Sequence, residues 1–486
     1  MKKILSTIFI LTFIAVLITG CQDRSNITAP TTQSPKSGTT DLTRFVTIGN
    51  SITAGYQSSS LFKDAQAYSY GNQIAQLVNT PYVQPLMQNP GIGGQLQIHV
   101  LFPNLVLVQQ PTMGQEAALN IGYAGVYNNL GVPGALVYDV VNATSSTTCA
   151  QYLGTHTANS FFDLILRNSV LNIGSQFQQA KALHPTFVTC WIGNNDVLGF
   201  ATSGGFAPTA PTSEAQFGAL YTQLGDSLKS LNTLFGTNVV VANIPDVTTI
   251  PFFTTVGPLL AKGTPWTSHG IPGLFYQKHG ITTPDPTVLA DSAHLAALQV
   301  MITLSGQNYT SLLGQPTGKW YRDNHYPALP PGIDTTKPFG FYPTNPWPDA
   351  LILDADEIVT AKTATTNFNN SIATVATAKG FGLVNINSVF TNIFLQSVTH
   401  GGINYNGINF TAFFITGGLF SLDGVHPSSQ GQGLIANEFL KVINSKFGAN
   451  YPLINLATIP GSLNFGKSIA TGKFWFDVYN WDNFSM

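Results

Sequence analysis

Hydrophobic positions along the chain fall into short strand-like runs that alternate with longer stretches of helical spacing. Apolar runs bounded by turn residues predict strands at 45–48, 124–127, 186–192, 239–242 and 383–386. Apolar residues three and four positions apart predict helices over 65–79, 164–183, 217–235, 358–378 and 434–447. Strands that alternate with helices are joined by right-handed crossovers and lie parallel. The pattern therefore predicts an α/β fold with a five-stranded parallel sheet.

Turns of unusual composition follow the first four predicted strands. They are Gly-Asn-Ser at 49–51, Gly-Val-Pro-Gly at 131–134, Gly-Asn-Asn-Asp at 193–196 and Asn-Ile-Pro-Asp at 243–246. In a parallel sheet the carboxyl ends of the strands share one edge, and ligands bind there. We therefore expect these turns to meet at one rim of the sheet.

Two of these turns and a third segment near the C-terminus carry residues that suit one chemistry. Ser51 follows the first strand, Asn195 follows the third, and the pair Asp423 and His426 precedes the last predicted helix. A serine, an amide donor and an acid–histidine pair are the components of a serine hydrolase. Each also has a simpler interpretation, with Ser51 as a helix N-cap and Asn195 as a turn residue.

The D-x-x-H spacing occurs a second time, at residues 291–294. This copy lies in a region, 286–304, whose pattern is compatible with a helix, and no proline follows its histidine. We therefore expect Asp291 and His294 to take no part in the chemistry.

Four sequence blocks resemble those of the SGNH hydrolases, the GDSL family of esterases and lipases. The blocks are GNSITAG at 49–55, NLGVPG at 129–134, GNND at 193–196 and DGVH at 423–426, and they occur in the order typical of the family. The resemblance implies a flavodoxin-like three-layer α/β/α sandwich. One departure is Asn50, because the family usually has Asp before the nucleophile.

The resemblance also implies roles for individual residues. Ser51 corresponds to the nucleophile, His426 to the general base and Asp423 to the residue that orients the histidine. The backbone N–H groups of Ser51 and Gly134 and the side-chain amide of Asn195 correspond to the oxyanion hole. No metal or cofactor is implied, and no G-x-S-x-G elbow of the α/β-hydrolases is present.

Charged residues make up only 9% of the chain, and the formal net charge is −2. This composition argues against nucleic acid as a partner. Lys2 and Lys3 precede an apolar stretch over 4–18, and the following Cys21 ends a sequence that resembles a bacterial lipoprotein cleavage box. We expect a signal peptide at 1–20 and a lipidated Cys21 that anchors an exported protein at the outer membrane or cell surface. The alternative is an uncleaved membrane helix.

Residues 21–41 are rich in Ser, Thr and Pro and are expected to form a flexible tether. The hydrolase domain is then predicted over 42–447, with insertions at about 56–122 and 247–349, and an aromatic extension over 448–486 that packs on it. The aromatic residues of the second insertion suit either a lid over the site or a small core of their own. Cys149 and Cys190 permit a disulfide, but two residues do not establish one.

These observations predict a serine hydrolase that cleaves carboxylic esters, with an acyl-lipid or other fatty ester as substrate. One alternative is an O-acetylesterase acting on a glycan, because aromatic residues also stack on sugars. Another is a catalytically inactive surface-binding lipoprotein that retains the fold, which only Asn50 favours.

Overall fold

The computed structural model describes residues 36–100, 105–205, 211–263, 270–278 and 287–461. Its strands are β1 (Phe45–Gly49), β2 (Leu96–Val100), β3 (Val106–Gln109), β4 (Asn129–Gly131), β5 (Phe187–Trp191), β6 (Asn238–Ala242), β7 (Leu274–Gln277), β8 (Thr287–Ala290), β9 (Met301–Ile302), β10 (Ile352–Leu353), β11 (Gly382–Val384), β12 (Ile403–Tyr405) and β13 (Ile408–Phe410). Its helices are α1 (Ser51–Ala54), α2 (Lys63–Gln66), α3 (Tyr70–Leu77), α4 (Asp139–Asn142), α5 (Ala150–Thr155), α6 (Phe161–Leu166), α7 (Asn168–Leu171), α8 (Gln176–Ala182), α9 (Asn195–Thr202), α10 (Glu214–Phe235), α11 (Pro251–Thr254), α12 (Val256–Gly263), α13 (Ser292–Ala296), α14 (Gln307–Thr310), α15 (Lys319–Asp323), α16 (Ala355–Lys379), α17 (Ile386–His400) and α18 (Ser429–Phe447).

A five-stranded parallel sheet in the order β11-β6-β5-β1-β4 forms the centre of the fold. All five residues of β1 and all five of β5 are buried, as expected for a parallel sheet covered on both faces. The predicted five-stranded parallel sheet is therefore confirmed. Because β1 pairs with both β4 and β5, the turns that follow these three strands emerge side by side.

Helices cover the two faces of the sheet. Two long helices, α10 and α16, pack together through the stacked rings of Phe217 and Phe368, whose centroids lie 4.0 Å apart. Helices α3 and α18 are joined by the stacked rings of Tyr70 and Phe439, 4.8 Å apart. Both pairs belong to the hydrophobic cluster that contains the strands, so the architecture is the expected α/β/α sandwich.

The second predicted strand is misplaced, because the pairing strand is β4 and not 124–127. Asn129 lies within β4, fully buried, and its side chain donates hydrogen bonds to the Thr53 carbonyl and the Gln84 side chain. A polar residue at a buried strand position interrupts the apolar pattern, which is why the pattern did not identify this strand.

The predicted helix over 164–183 is also wrong in detail, since the chain forms the three helices α6, α7 and α8 there. Arg167 and Asn172 separate them in the left-handed conformation, with φ of 49° and 48°. The Arg167 guanidinium binds backbone carbonyls at 121–125, and this tertiary contact breaks the helical run.

In the range 286–304, the described residues 287–304 do not form a single helix either. They form β8 and β9 with the short α13 between them, because β8 pairs with β7 and β9 pairs with β10. Helix α17, by contrast, was not predicted.

The insertion at 247–349 contains a hydrophobic core of its own. Its buried aromatic members are Tyr276, Trp320, Tyr321, Phe339 and Trp347. Of the two interpretations left open, packing within the insertion therefore accounts for most of the aromatic residues. Phe253 instead joins the main core, and Phe252 lies partly buried next to it.

The described part of the C-terminal extension, up to residue 461, packs against α18. The Asn437 side chain binds both the N–H and the carbonyl of Ile454, at 2.7 and 3.0 Å, and Leu456 is fully buried. The predicted signal peptide, Cys21 and the aromatic residues beyond 461 lie outside the described residues. Among the described residues, no helix qualifies as a candidate membrane span. Cys149 and Cys190 are both buried free thiols.

Candidate active site

The first candidate residue, Ser51, begins α1 directly after β1 ends. Asn50 caps this helix, since its side-chain oxygen accepts the Ile52 N–H at 3.1 Å. Asn50, and not Ser51, is therefore the N-cap, which removes the simpler interpretation of Ser51. The Asp usual in the family would offer the same acceptor, so Asn50 preserves the capping function.

Ser51, His426 and Asp423 form one chain of hydrogen bonds. His426 Nε2 lies 2.9 Å from Ser51 Oγ, and His426 Nδ1 lies 2.9 Å from Asp423 Oδ2. Ser51 is buried and His426 half-buried, while Asp423 is buried beneath them. The fold thus joins two residues that are 375 positions apart in the chain.

The Asp423 carboxylate is saturated with donors. One oxygen accepts the Ser59 N–H at 2.9 Å in addition to the histidine ring. The other accepts the Ser421 hydroxyl at 3.1 Å and the N–H groups of Val425 and His426 at 2.9 Å each. Burial by itself would raise the pKa of Asp423, but the charge and hydrogen bonds of His426 and the backbone donors outweigh it and lower the pKa to about 2. Asp423 is therefore ionised at neutral pH.

Sequence reasoning missed the residues that support this carboxylate. Ser58 and Ser421 bind each other's segments: the Ser58 N–H donates to Ser421 Oγ at 2.9 Å, and the Leu422 N–H donates to Ser58 Oγ at 3.3 Å. The ring of Tyr56 lies 4.7 Å from that of His426, centroid to centroid. The only signal was the run of serines at 58–60, directly after the nucleophile block.

The candidate oxyanion donors Gly134 and Asn195 lie on two segments that are joined by a hydrogen bond. Gly134 is exposed and adopts a left-handed φ of 82°, which favours glycine, and a Cβ there would lie 2.8 Å from Asn159 Nδ2. Asn195 begins α9, and its Nδ2 donates to the Ala135 carbonyl at 2.9 Å. A side-chain amide has two N–H donors, so one remains for another acceptor. Within the described part of the chain, the backbone N–H groups of Ser51 and Gly134 donate to no other protein group.

The second D-x-x-H segment lies apart from this arrangement. Asp291 and His294 hydrogen-bond to each other at 2.6 Å on the exposed helix α13. Among the described residues, the hydrogen bond from His426 to a serine hydroxyl has no counterpart at His294. The described residues also contain no cluster of three or more His, Cys, Asp or Glu side chains arranged to hold a metal.

Residues 45–279 match the model of the GDSL-like Lipase/Acylhydrolase family. No curated protein matches the chain significantly in sequence. Among solved structures, an α/β hydrolase enzyme from the metagenome of Lake Arreo in Spain is 12% identical, with a TM-score of 0.31, over 83% of this chain and 96% of that one. A mutant of an acetyl-xylooligosaccharide esterase from Geobacillus Stearmophilus has the same identity and TM-score, over 83% of this chain and 95% of that one. At these values the two structures carry no information about substrate.

The family model spans β1, β4, β5 and β6 and therefore includes three of the four blocks that surround the site. With the central parallel sheet and the turns at its carboxyl edge, this match identifies residues 45–279 as a region of the GDSL-like lipase/acylhydrolase type and the protein as a carboxylic ester hydrolase.

Proposed function

We propose that the chain hydrolyses carboxylic esters through an acyl-enzyme on Ser51. The observation that carries this proposal is the unbroken hydrogen-bond chain from Ser51 through His426 to Asp423. Ser51 Oγ attacks the ester carbonyl while His426 Nε2 takes the hydroxyl proton. The ester C–O bond then breaks, and the same proton passes from His426 to the leaving alkoxide. Water, deprotonated by His426, releases the acid and restores Ser51.

Asp423 serves this cycle by holding the histidine. Its hydrogen bond to Nδ1 leaves Nε2 free to accept the serine proton, and its negative charge stabilises the imidazolium that forms. The low pKa of Asp423 supports this role, because the carboxylate stays charged throughout.

The negative charge on the substrate oxygen requires donors of its own. We assign this role to the N–H groups of Ser51 and Gly134 and to the free N–H of the Asn195 amide. Removing one such donor typically lowers the rate about 10²–10³-fold.

Fatty esters or acyl-lipids are the proposed substrates. Two partly buried aromatic residues adjoin the site, Tyr56 against His426 and Phe252, whose N–H donates to the Gly424 carbonyl at 3.0 Å. Phe252 comes from the second insertion, so this insertion contributes to the surroundings of the acid–histidine loop. Aromatic surface of this kind favours an apolar acyl group.

The acyl preference is tested with a series of p-nitrophenyl esters from acetyl to palmitoyl. We expect kcat/KM to rise beyond acetyl. A preference confined to acetyl contradicts the fatty-ester proposal and favours the glycan O-acetylesterase.

The triad is tested by labelling with a fluorophosphonate and mapping the modified residue. We expect the label on Ser51 and none on the Ser51→Ala variant, which also loses hydrolysis of short-chain esters. Label on another residue, or a variant that keeps its activity, overturns the assignment. A wild-type protein without activity favours the inactive lipoprotein.

We further propose that the protein is exported and anchored by a lipid on Cys21, on the sequence pattern described above. Metabolic labelling with a fatty-acid analogue and membrane fractionation test this proposal. Cys21→Ser is expected to abolish the label and to release the protein from the membrane fraction, and persistence of either contradicts it.

A further inference from the structure

The loop that presents Gly134, residues 133–137, is held by side chains from outside it at nearly every position. Asn159 donates to the Pro133 carbonyl at 2.9 Å, and Asn195 donates to the Ala135 carbonyl at 2.9 Å. The next two residues are held through their N–H groups by carboxylates. We call residues 133–137 the Gly134 loop.

Two buried carboxyl groups bind this loop. Asp139 accepts the Leu136 N–H at 2.8 Å and the Ala150 N–H at 2.7 Å. Asp196, the last residue of the GNND block, accepts the Val137 N–H at 3.0 Å and the Thr212 hydroxyl at 2.9 Å. Neither group takes part in the proposed reaction.

These carboxyl groups are placed at a free-energy cost. Burial raises the pKa of Asp139 to about 6 and that of Asp196 to about 7, although their hydrogen bonds act in the opposite direction. Only 1% of Asp139 and 3% of Asp196 is exposed. The hydrogen bonds to the loop offset part of this cost. Their donors are the N–H groups of Leu136 and Val137, which lie two and three residues after Gly134.

We propose that Asp139 and Asp196 are positioning residues that hold the Gly134 N–H where the substrate oxyanion forms. The inference rests on the proposed function. Gly134 is the one oxyanion donor on an exposed turn, and a left-handed glycine has wide conformational freedom when nothing restrains it. The two carboxylates fix the chain on its C-terminal side, while Asn159 and Asn195 fix the carbonyls on either side of Gly134.

Replacement of the carboxylate by an amide is expected to have different effects at Asp139 and Asp196, because their hydrogen-bond partners differ. Both partners of Asp139 are N–H donors, so Asp139→Asn turns one of its hydrogen bonds into a clash of donors. Asp196 has one N–H partner and one hydroxyl partner, and a hydroxyl can also accept. Asp196→Asn can therefore keep both contacts, whereas Asp196→Ala keeps neither.

The test compares Asp139→Asn, Asp196→Asn and Asp196→Ala, with Asp163→Asn as the matched control. Asp163 is an exposed carboxylate that accepts the Ser146 N–H at 2.9 Å, outside the Gly134 loop. We expect kcat to fall about 10- to 100-fold in Asp139→Asn and Asp196→Ala with little change in KM, because displacement of a donor by about 1 Å costs on the order of 10² in rate. Asp196→Asn and Asp163→Asn are expected within about threefold of wild type.

A second measurement separates positioning from loss of structure. An alkyl boronic acid forms a tetrahedral adduct on Ser51 that places an oxygen in the oxyanion site. Its affinity is expected to fall in parallel with kcat, whereas affinity for the alcohol product stays unchanged. Folded protein is quantified by circular dichroism, and if Asp139→Asn does not fold, the Asp196→Ala and Asp196→Asn pair decides.

Equal activity of Asp196→Ala and Asp196→Asn, or loss of boronic acid and alcohol binding together, overturns the inference. The wild-type protein distinguishes this failure from failure of the proposed function. A wild type that does not hydrolyse esters overturns both, whereas an active wild type with fully active loop variants overturns the inference alone.

Discussion

The D-x-x-H segments at 291–294 and 423–426 form similar local hydrogen bonds in different surroundings. In each, the ring Nδ1 of the histidine hydrogen-bonds the aspartate, at 2.6 Å in the first segment and 2.9 Å in the second. The backbone N–H of the histidine also donates to that aspartate, at 2.9 Å in both segments. The side chains of His294 and Asp291 are 48% and 49% exposed, against 16% and 9% for His426 and Asp423.

The difference lies in what the rest of the fold adds. In the 423–426 segment, the Asp423 carboxylate also accepts hydrogen bonds from the Ser59 N–H and the Ser421 hydroxyl. The His426 ring is also hydrogen-bonded to the Ser51 hydroxyl. The acid–histidine pair is thus a local structure that four residues can form alone. Its connection to a nucleophile is a property of the tertiary structure.

The largest expected difference in activity is the one between substitutions of the two histidines. His426→Ala removes the proposed general base, and kcat for p-nitrophenyl esters is expected to fall about 10⁴- to 10⁶-fold. His294→Ala is expected to leave kcat and KM unchanged. Equal effects of the two substitutions contradict the assignment.

The two aspartates sharpen the comparison. Asp423→Asn keeps the size of the side chain but favours the wrong histidine tautomer, and we expect kcat to fall about 10⁴-fold. Asp291→Asn serves as the control with the same spacing. Steady-state kinetics on folded, active-site-titrated protein measure both, and a loss below tenfold in Asp423→Asn argues against the proposed role.

Acid stability is expected to distinguish the same pair. The pKa of Asp423 is lowered to about 2 in the folded state, so this group stabilises the fold above its ordinary value near 4, and the stabilisation is lost as the pH falls through 4 toward 2. The loss is on the order of 2 kcal/mol in the free energy of unfolding. Denaturant titrations between pH 5 and 2 are expected to show a clearly smaller loss in Asp423→Asn. Asp291→Asn is expected to reduce the loss less, because the pKa of Asp291 is also lowered by His294 but its carboxylate is exposed to solvent.

Ser421 is expected to have the smallest effect. Ser421→Ala removes one of the five hydrogen bonds to Asp423 and the acceptor of the Ser58 N–H. A net loss of about 1 kcal/mol per hydrogen bond predicts a decrease in stability of about 2 kcal/mol for the two bonds together, and we expect kcat to decrease less than tenfold. Ser445→Ala, on the exposed end of α18, is the control.

Much of the fold was predictable because its signals are local. Strands β1, β5 and β6 are apolar runs, and α10 and α18 carry apolar residues at helical spacing, so each element is visible without its neighbours. Strand β4 was misplaced because buried Asn129 finds its partners on distant segments. The predicted long helix over 164–183 failed for the same reason at Arg167, whose partners lie at 121–125.

The sequence by itself determined the parallel sheet, the four blocks and the acid–histidine pair, because hydrophobic periodicity and a spacing of three residues are readable along the chain. Only the tertiary structure decided which acid–histidine pair lies against Ser51, which serines support Asp423 and which carboxyl groups hold the Gly134 loop. These contacts join positions up to 375 residues apart, and no local pattern specifies them. Parallel pairing of β4, β1 and β5 brings the turns that follow these strands together at one edge of the sheet.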